Sequence, residues 1–340
     1  MRAVVQERFG PPGTLRLQEV ERPRPGAGQV LLRVCASSVN PYDWHMLRGD
    51  PYAARLTGGM GFRRPRHRVA GIDVAGVVED TGPGVTGWAP GTEVLGFCPG
   101  AFAEFGCASA GLLVPRPSGL TFEQAAAVPM AAVTALRGIR TVGRVESGQR
   151  VLVNGAGGGV GTFAVQIAAT LGAEVTAVCG GDKAELVRSL GAAHVLDRAR
   201  EDFTDGRARY DVVLDNVGNH PPGRLRRALT PAGVLVANGG GSPGRVFGAI
   251  GSTLRVVAAN AFTRQRLGPI LPATPAGPAH ADLLAVTALI EAGQVVPVVG
   301  RTYPLAEAAD AVRHVEEGHT RGKTVITVSG GVSGSPSGPP

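Results

Sequence analysis

The stretch VLVNGAGGGVGTFAVQIAATLGAEVTAVC, Val151 to Cys179, constrains the fold more than any other part of the chain. Val151, Leu152 and Val153 suit a strand covered on both faces, as in a parallel sheet. Ala156, Gly158 and Gly161 follow in the three small positions of G-x-G-x-x-G, with alanine in the first. In such a turn, Gly158 lets a pyrophosphate approach the backbone and Gly161 lets helix and strand pack closely, with Gly159 and Val160 between them. Val160, Ala164, Ile167, Ala168 and Leu171 share one helical face, and Gly172 suits the stop before a second strand. The order strand, glycine turn, helix, strand predicts the first half of a dinucleotide-binding unit, with phosphates received at the helix N-terminus.

At 340 residues the chain has room for two domains with their own cores. Hydrophobic residues make up 44%, yet no apolar run is long enough to span a bilayer, which argues against a membrane protein. The start, MRAVVQERFGPPG, lacks the apolar core of a signal peptide, so a cytoplasmic location is expected. Cys35, Cys98, Cys107 and Cys179 are far apart with no C-x-x-C spacing, so neither a disulfide framework nor a structural zinc lobe is predicted. The formal net charge of +7 comes almost wholly from arginine. The densest basic cluster, Arg63, Arg64, Arg66, His67 and Arg68, lacks interleaved aromatics and any recognition-helix pattern, which argues against nucleic acid as a partner.

Residues 1–125 read as short β-like runs, Gln29–Val34, Val69–Glu79, Thr92–Phe97 and Leu112–Pro115, punctuated by Gly82-Pro83 and Pro90-Gly91. Thr121 is placed to cap a helix with Glu123 and Gln124 in its first turn; Pro129 interrupts it, and a second helix follows through Thr134 to Ile139. After the glycine turn, strands are predicted at His194–Leu196, Asp211–Leu214, Gly233–Ala237 and Thr253–Ala258, with a helix around Gly223–Leu229. Strands alternating with helices predict a doubly wound parallel sheet. Helices at Ala281–Ala292 and Ala306–Glu317 and strands at Val295–Pro297 and Lys323–Val328 complete the chain, ahead of a Gly/Ser/Pro tail over 329–340 that is expected to be disordered. The predicted arrangement is α/β: a dinucleotide domain over 126–261 inserted into a β-rich domain formed by 1–125 and 262–328.

VNPYDWHMLRG (Val39–Gly49), AGIDVAGVVE (Ala70–Glu79), AAAVPMAAVTAL (Ala125–Leu136), NGAGGGVG (Asn154–Gly161), LDNVGN (Leu214–Asn219) and RGKTVITV (Arg321–Val328) occur in that order. With these markers the chain resembles the medium-chain dehydrogenase/reductase superfamily, in particular its zinc-independent quinone oxidoreductase branch. The resemblance runs from Met1 to about Val328 and implies a Rossmann sheet inserted into a GroES-like catalytic domain. Zinc-dependent relatives place cysteine or aspartate near Asn40, and Gly-His-Glu where this chain has Gly71, Ile72 and Asp73. Isoleucine cannot ligate zinc, and Val128 to Val133 offer only apolar side chains and a methionine, so no metal is expected.

NAD-preferring sites carry an acidic side chain after the second strand, where this chain has Cys179 and Gly180. The resemblance puts Lys183 and Arg198 against an adenosine 2′-phosphate, which favours NADPH; Asp182 is discordant and leaves NADH possible. It also implies cofactor contacts at Thr134, Asn216, Asn238, Gly239 and Lys323. The expected substrate is a quinone or enone, since without zinc a conjugated acceptor is reduced more readily than a simple ketone. Within the segment Asn40 to His45, read as a loop, His45 is the candidate proton donor and Asn40 a candidate contact to the cofactor or substrate carbonyl. Tyr52 and Met60 are candidates for the pocket wall. Alcohol or aldehyde oxidation without zinc, and cofactor binding in a non-redox role, stay open on these residues. The apolar, β-branched run Thr253–Ala258 suits an edge strand through which two copies would form a homodimer.

Overall fold

The computed structural model describes residues 1–55, 60–238, 264–270 and 279–328. Fifteen strands are present among them: β1 Arg2–Val5, β2 Arg16–Glu19, β3 Gln29–Val39, β4 Asp73–Thr81, β5 Glu93–Phe97, β6 Phe105–Ser109, β7 Leu113–Pro115, β8 Arg150–Asn154, β9 Glu174–Cys179, β10 His194–Asp197, β11 Tyr210–Asp215, β12 Leu229–Ala237, β13 Arg266–Pro269, β14 Val299–Pro304 and β15 Lys323–Thr327. One sheet runs β10-β9-β8-β11-β12-β13. Every pairing in it is parallel. A second sheet runs β14-β15-β3-β4-β5-β7, with β6 also paired to β3. The predicted α/β fold, a parallel sheet together with a β-rich part, is therefore present, and the C-terminal strand β15 returns to β3, with Thr324 opposite Val39.

Alternation along β8 shows why its sequence is apolar throughout. Val151 and Val153 join the larger core, while Leu152 faces a separate cluster with Val213, Leu225 and Leu235. All three are 0% exposed, as a sheet covered by helices on both faces requires. The larger core does not stop at the domain boundary. It runs from Ile72, Leu95 and Phe97 of the β-rich part, through Ala126, Ala131 and Val133, to Phe163, Ile167 and Leu214 of the parallel sheet. Helices α3 (Phe122–Ala126) and α4 (Pro129–Leu136) supply the bridge. Thr121 caps α3 as expected, and Gln124 completes a capping box with it.

Several expected boundaries move. The segment read as a loop, Asn40 to His45, is the start of helix α1, Pro41–Arg48, and a short helix α2, Tyr52–Arg55, follows it. Asn40 is the N-cap of α1, Pro41 opens it, and Asp43 at the third position accepts from the Asn40 amide at 2.7 Å. The reading missed this helix because Asn-Pro at its start signals a turn equally well. Val295–Pro297 is not a strand; the strand comes at β14. The parallel sheet continues to β13, past the boundary expected at 261. The helix expected over Thr134–Ile139 begins at Pro129 and passes into a wider π-turn over Arg137–Gly143. The edge strand expected at Thr253–Ala258, and Gly239, lie outside the described residues.

Two consequences are measurable. Leu152→Ala removes a fully buried side chain between two packed layers, and chemical denaturation should show a loss of roughly 2–5 kcal/mol. Asp43 is buried, and desolvation, reinforced by the Asp73 charge, raises its carboxyl from 3.8 to about 7. The folded state then holds a proton that the unfolded chain releases, so Asp43 makes stability fall as pH climbs from about 4 through 7. Asp43→Asn keeps an acceptor for the Asn40 amide and should flatten that part of the stability profile, read by denaturation at pH 5 and pH 8.

Candidate functional site

The parallel sheet opens at the carboxyl ends of β8 and β11, where strand order reverses, and ligands of such sheets bind at that crevice. Gly155, at φ 77°, turns the chain away from β8, and Gly158 caps helix α5, Gly159–Thr170. The amides of the first turn of α5 lack intrahelical partners and point to the crevice mouth. A β-carbon at Gly161 would lie 2.2 Å from the Gly155 carbonyl oxygen and 2.6 Å from the Ala156 backbone. Gly161 is therefore what allows helix and strand to touch, while Gly158 stays open on its outer side. Beside the turn, amides form a chain. Asn154 donates to Asp215 Oδ1 at 2.8 Å, Asn216 to the Asn154 carbonyl at 3.1 Å, and Asn238 to Asn216 Oδ1 at 2.7 Å. The structure thus joins Asn216 and Asn238 directly at adjacent strand ends. Thr134 is buried at 8% exposure on α4, which packs against α5.

The chain has two lysines, Lys183 and Lys323, against many arginines, and both lie on the glycine turn. A β-carbon at Gly157 would meet the Lys183 stem at 2.6 Å, and one at Gly159 would meet the Lys323 stem at 2.8 Å. Lys183 is only 8% exposed, and its ammonium donates to the Thr320 carbonyl at 2.9 Å and the His319 carbonyl at 3.3 Å. Burial pushes its pKa down. It is pinned to the C-terminal segment rather than standing free in solvent. Arg198 is exposed, and its Nε lies 3.9 Å from where a β-carbon on Gly180 would be. The Asp182 carboxylate borders the same glycine.

The C-terminal segment rests on the turn itself. The Gly322 amide donates to the Gly157 carbonyl at 2.9 Å, and Gly158 and Gly322 form a parallel bridge. From there Lys323 runs inward to a buried polar knot. Its Nζ donates to the Val39 carbonyl at 3.2 Å and to Asn40 Oδ1 at 2.5 Å, and lies 3.6 Å from Asp73 Oδ2. Asp73 Oδ2 also accepts from Ser38 at 2.7 Å and Asn40 Nδ2 at 2.9 Å, while Oδ1 accepts the Met130 amide at 3.1 Å. Burial raises the Asp73 carboxyl and lowers the Lys323 ammonium, and each opposes the shift of the other. Asn40 was expected to reach a cofactor or substrate carbonyl. Instead both ends of its carboxamide are engaged within the knot, at 3% exposure. The sequence marks Asp73 only beside the place of a zinc ligand, although one acid inside the apolar run AGIDVAGVV signals a buried charge that needs a partner.

His45 lies one turn along α1 from the knot. It stacks on Trp44, with ring centroids 3.6 Å apart, and its Nδ1 is buried without a partner. Burial lowers its pKa, against smaller opposing effects from Asp50 and Glu316. Tyr52 is 44% exposed with the Arg55 guanidinium 4.5 Å from its ring centre, and Met60 is half-buried. Among the described residues, no three His, Cys, Asp or Glu side chains come together to hold a metal ion. Ile72 is core, and the ammonium of Lys323 already fills the space between Asn40 and Asp73, where a dication would be repelled. No helix among the described residues is long and apolar enough to cross a membrane.

Two family models match, the alcohol dehydrogenase GroES-like domain over 26–138 and the zinc-binding dehydrogenase over 190–326. The chain is 34% identical over 333 residues to the human mitochondrial NAD(P)H oxidoreductase RTN4IP1, covering 88% of this chain and 82% of that protein. It is 31% identical over 314 residues to the tomato (Solanum lycopersicum) 2-methylene-furan-3-one reductase, covering 88% and 71%. Among solved structures, the quinone oxidoreductase from Coxiella burnetii superposes with a TM-score of 0.83 at 27% identity, covering 96% of this chain and 99% of that one. With a glycine turn, an inserted parallel sheet and these relatives in agreement, the chain belongs to the medium-chain dehydrogenase/reductase superfamily, in its quinone oxidoreductase-like branch, as an NAD(P)H-dependent reductase.

Proposed function

We propose that the protein reduces a quinone or other α,β-unsaturated carbonyl with NADPH and without a metal ion. The observation that carries this reading is the buried Lys323 ammonium, seated between Asn40 and Asp73 at the edge of the glycine turn. The positive charge at that seam is an organic cation, which favours an acceptor whose own conjugation spreads the incoming negative charge. The names of the quinone oxidoreductase and furanone reductase relatives agree with that substrate class.

The bound reduced nicotinamide supplies the hydride. In this reading the Gly159, Val160 and Gly161 amides receive the pyrophosphate, Gly158 leaves its approach open, and Ala156 keeps the turn close to the sheet. Thr134, Asn216 and Asn238 border the nicotinamide half. Arg198, exposed beside Gly180, takes the adenosine 2′-phosphate with the remaining proton of the Lys183 ammonium. NADH fits the same cradle without that contact. His45 holds the proton given to the reduced product. Burial lowers its pKa, so the imidazolium is a stronger acid than that of a free histidine and is populated increasingly as pH falls below neutral. Asn40 positions Lys323 and does not contact substrate.

Steady-state rates against a panel of quinones, enones and aldehydes test the reading. NADPH should exceed NADH at least tenfold in kcat/KM, and Arg198→Ala should erase most of that difference while leaving NADH rates within about threefold. Equal use of both nucleotides by the wild-type protein removes the 2′-phosphate assignment. His45→Phe should lower kcat by about 100-fold with NADPH affinity unchanged, and full turnover by that variant excludes the donor role.

A further inference from the structure

The knot beneath the glycine turn contains two carboxylates, Asp73 and Asp43, and one cation, Lys323, with every one of them buried. Lysine is almost never fully buried unless paired, and Asp73 is the carboxylate in contact with this one. Asp73 also fixes the direction of its neighbour. By accepting from Asn40 Nδ2 it turns the carboxamide so that Oδ1 faces the ammonium. Its second oxygen takes the Met130 amide, the first turn of α4, so one side chain joins β4, the α1 cap, α4 and β15. Lys323 transmits this outward, because its stem lies on Gly159 and the preceding residue, Gly322, is bonded to Gly157.

We infer that Asp73 is a positioning residue for the nucleotide site: it keeps Lys323 charged and fixed, and so holds the C-terminal segment on the glycine turn in the geometry that receives the dinucleotide. The inference rests on the reductase reading for what binds at the turn. The groups facing Lys323 are Asp73 from β4, Asp43 and Asn40 from the α1 cap, and the Val39 carbonyl at the end of β3. Tyr42 adjoins Asp43 on the same helix. Without the Asp73 charge, Asp43 is the acid left near the ammonium, and its carboxyl is bonded to the Asn40 amide, not to Lys323.

Because the chain has two lysines, each ammonium can be followed separately. With lysine labelled by nitrogen-15, the side-chain signal that survives in Lys183→Arg belongs to Lys323. Asp73→Asn should shift the titration of that signal down by more than one pH unit. The same variant should bind NADPH and NADH at least tenfold more weakly at pH 8, by nucleotide fluorescence, with affinity recovering as pH falls and the ammonium regains its proton. Asp73→Glu should restore most of the affinity. The double variant Asp73→Asn with Lys323→Met, which removes the buried charge together with its partner, should recover the melting temperature lost in Asp73→Asn but not the nucleotide affinity. An unchanged Lys323 titration in Asp73→Asn overturns the inference, and so does a double variant that regains full affinity. If Asp73→Asn does not fold, the glutamate and double variants decide by the same affinity readout. Failure of the wild-type protein to bind either nucleotide would instead remove the reductase reading, while the lysine titration still reports on Asp73.

Discussion

A buried ammonium between a carboxylate and a carboxamide holds this molecule's functional half together. Lys323 sits where four chain segments meet, at a place where desolvation pulls its pKa down. Asp73 offsets that cost, and three hydrogen bonds from Ser38, Asn40 and Met130 offset the cost of burying Asp73. The arrangement is self-consistent only when all parts are present. Removing one leaves a charge or a donor without a partner in a site that water does not reach.

The same economy explains the lysines. This chain uses arginine nearly everywhere it needs a surface cation, yet it keeps lysine at the two positions that cross the glycine turn. A guanidinium is a broad planar fork, whereas an ammonium is compact on a slim stem. Only the slim stem lies flat against Gly157 on one side and Gly159 on the other. Glycine at the turn therefore serves two purposes: it opens the backbone to phosphates, and it makes room for the side chains that tie down the C-terminal segment.

The parallel sheet was legible because both-face burial demands unbroken apolar strands, and Val151–Val153 supplies one ahead of a distinctive turn. The order of markers along the chain disclosed the inserted domain and the family. Less of the site was legible. His45 and Asn40 were found as side chains but not as a helix and its cap, since the capping box depends on Asp43 reaching back to an amide. Lys183 was read by its charge, while the structure shows carbonyls from residues far along the chain claiming two of its donors. Asp73 and Lys323 lie far apart in sequence, and no periodicity reports a pair that β15 brings together by returning to β3.

The unbroken core through α3 and α4 limits how the cleft can work. A wide hinge between the two lobes would expose Ala126, Ala131 and Val133, which are now shared by both. Small sliding of packed layers keeps such contacts covered, whereas rotation about a hinge does not. A nucleotide that enters by small movements at the rim leaves that shared spine covered, whereas one that needs a wide opening does not.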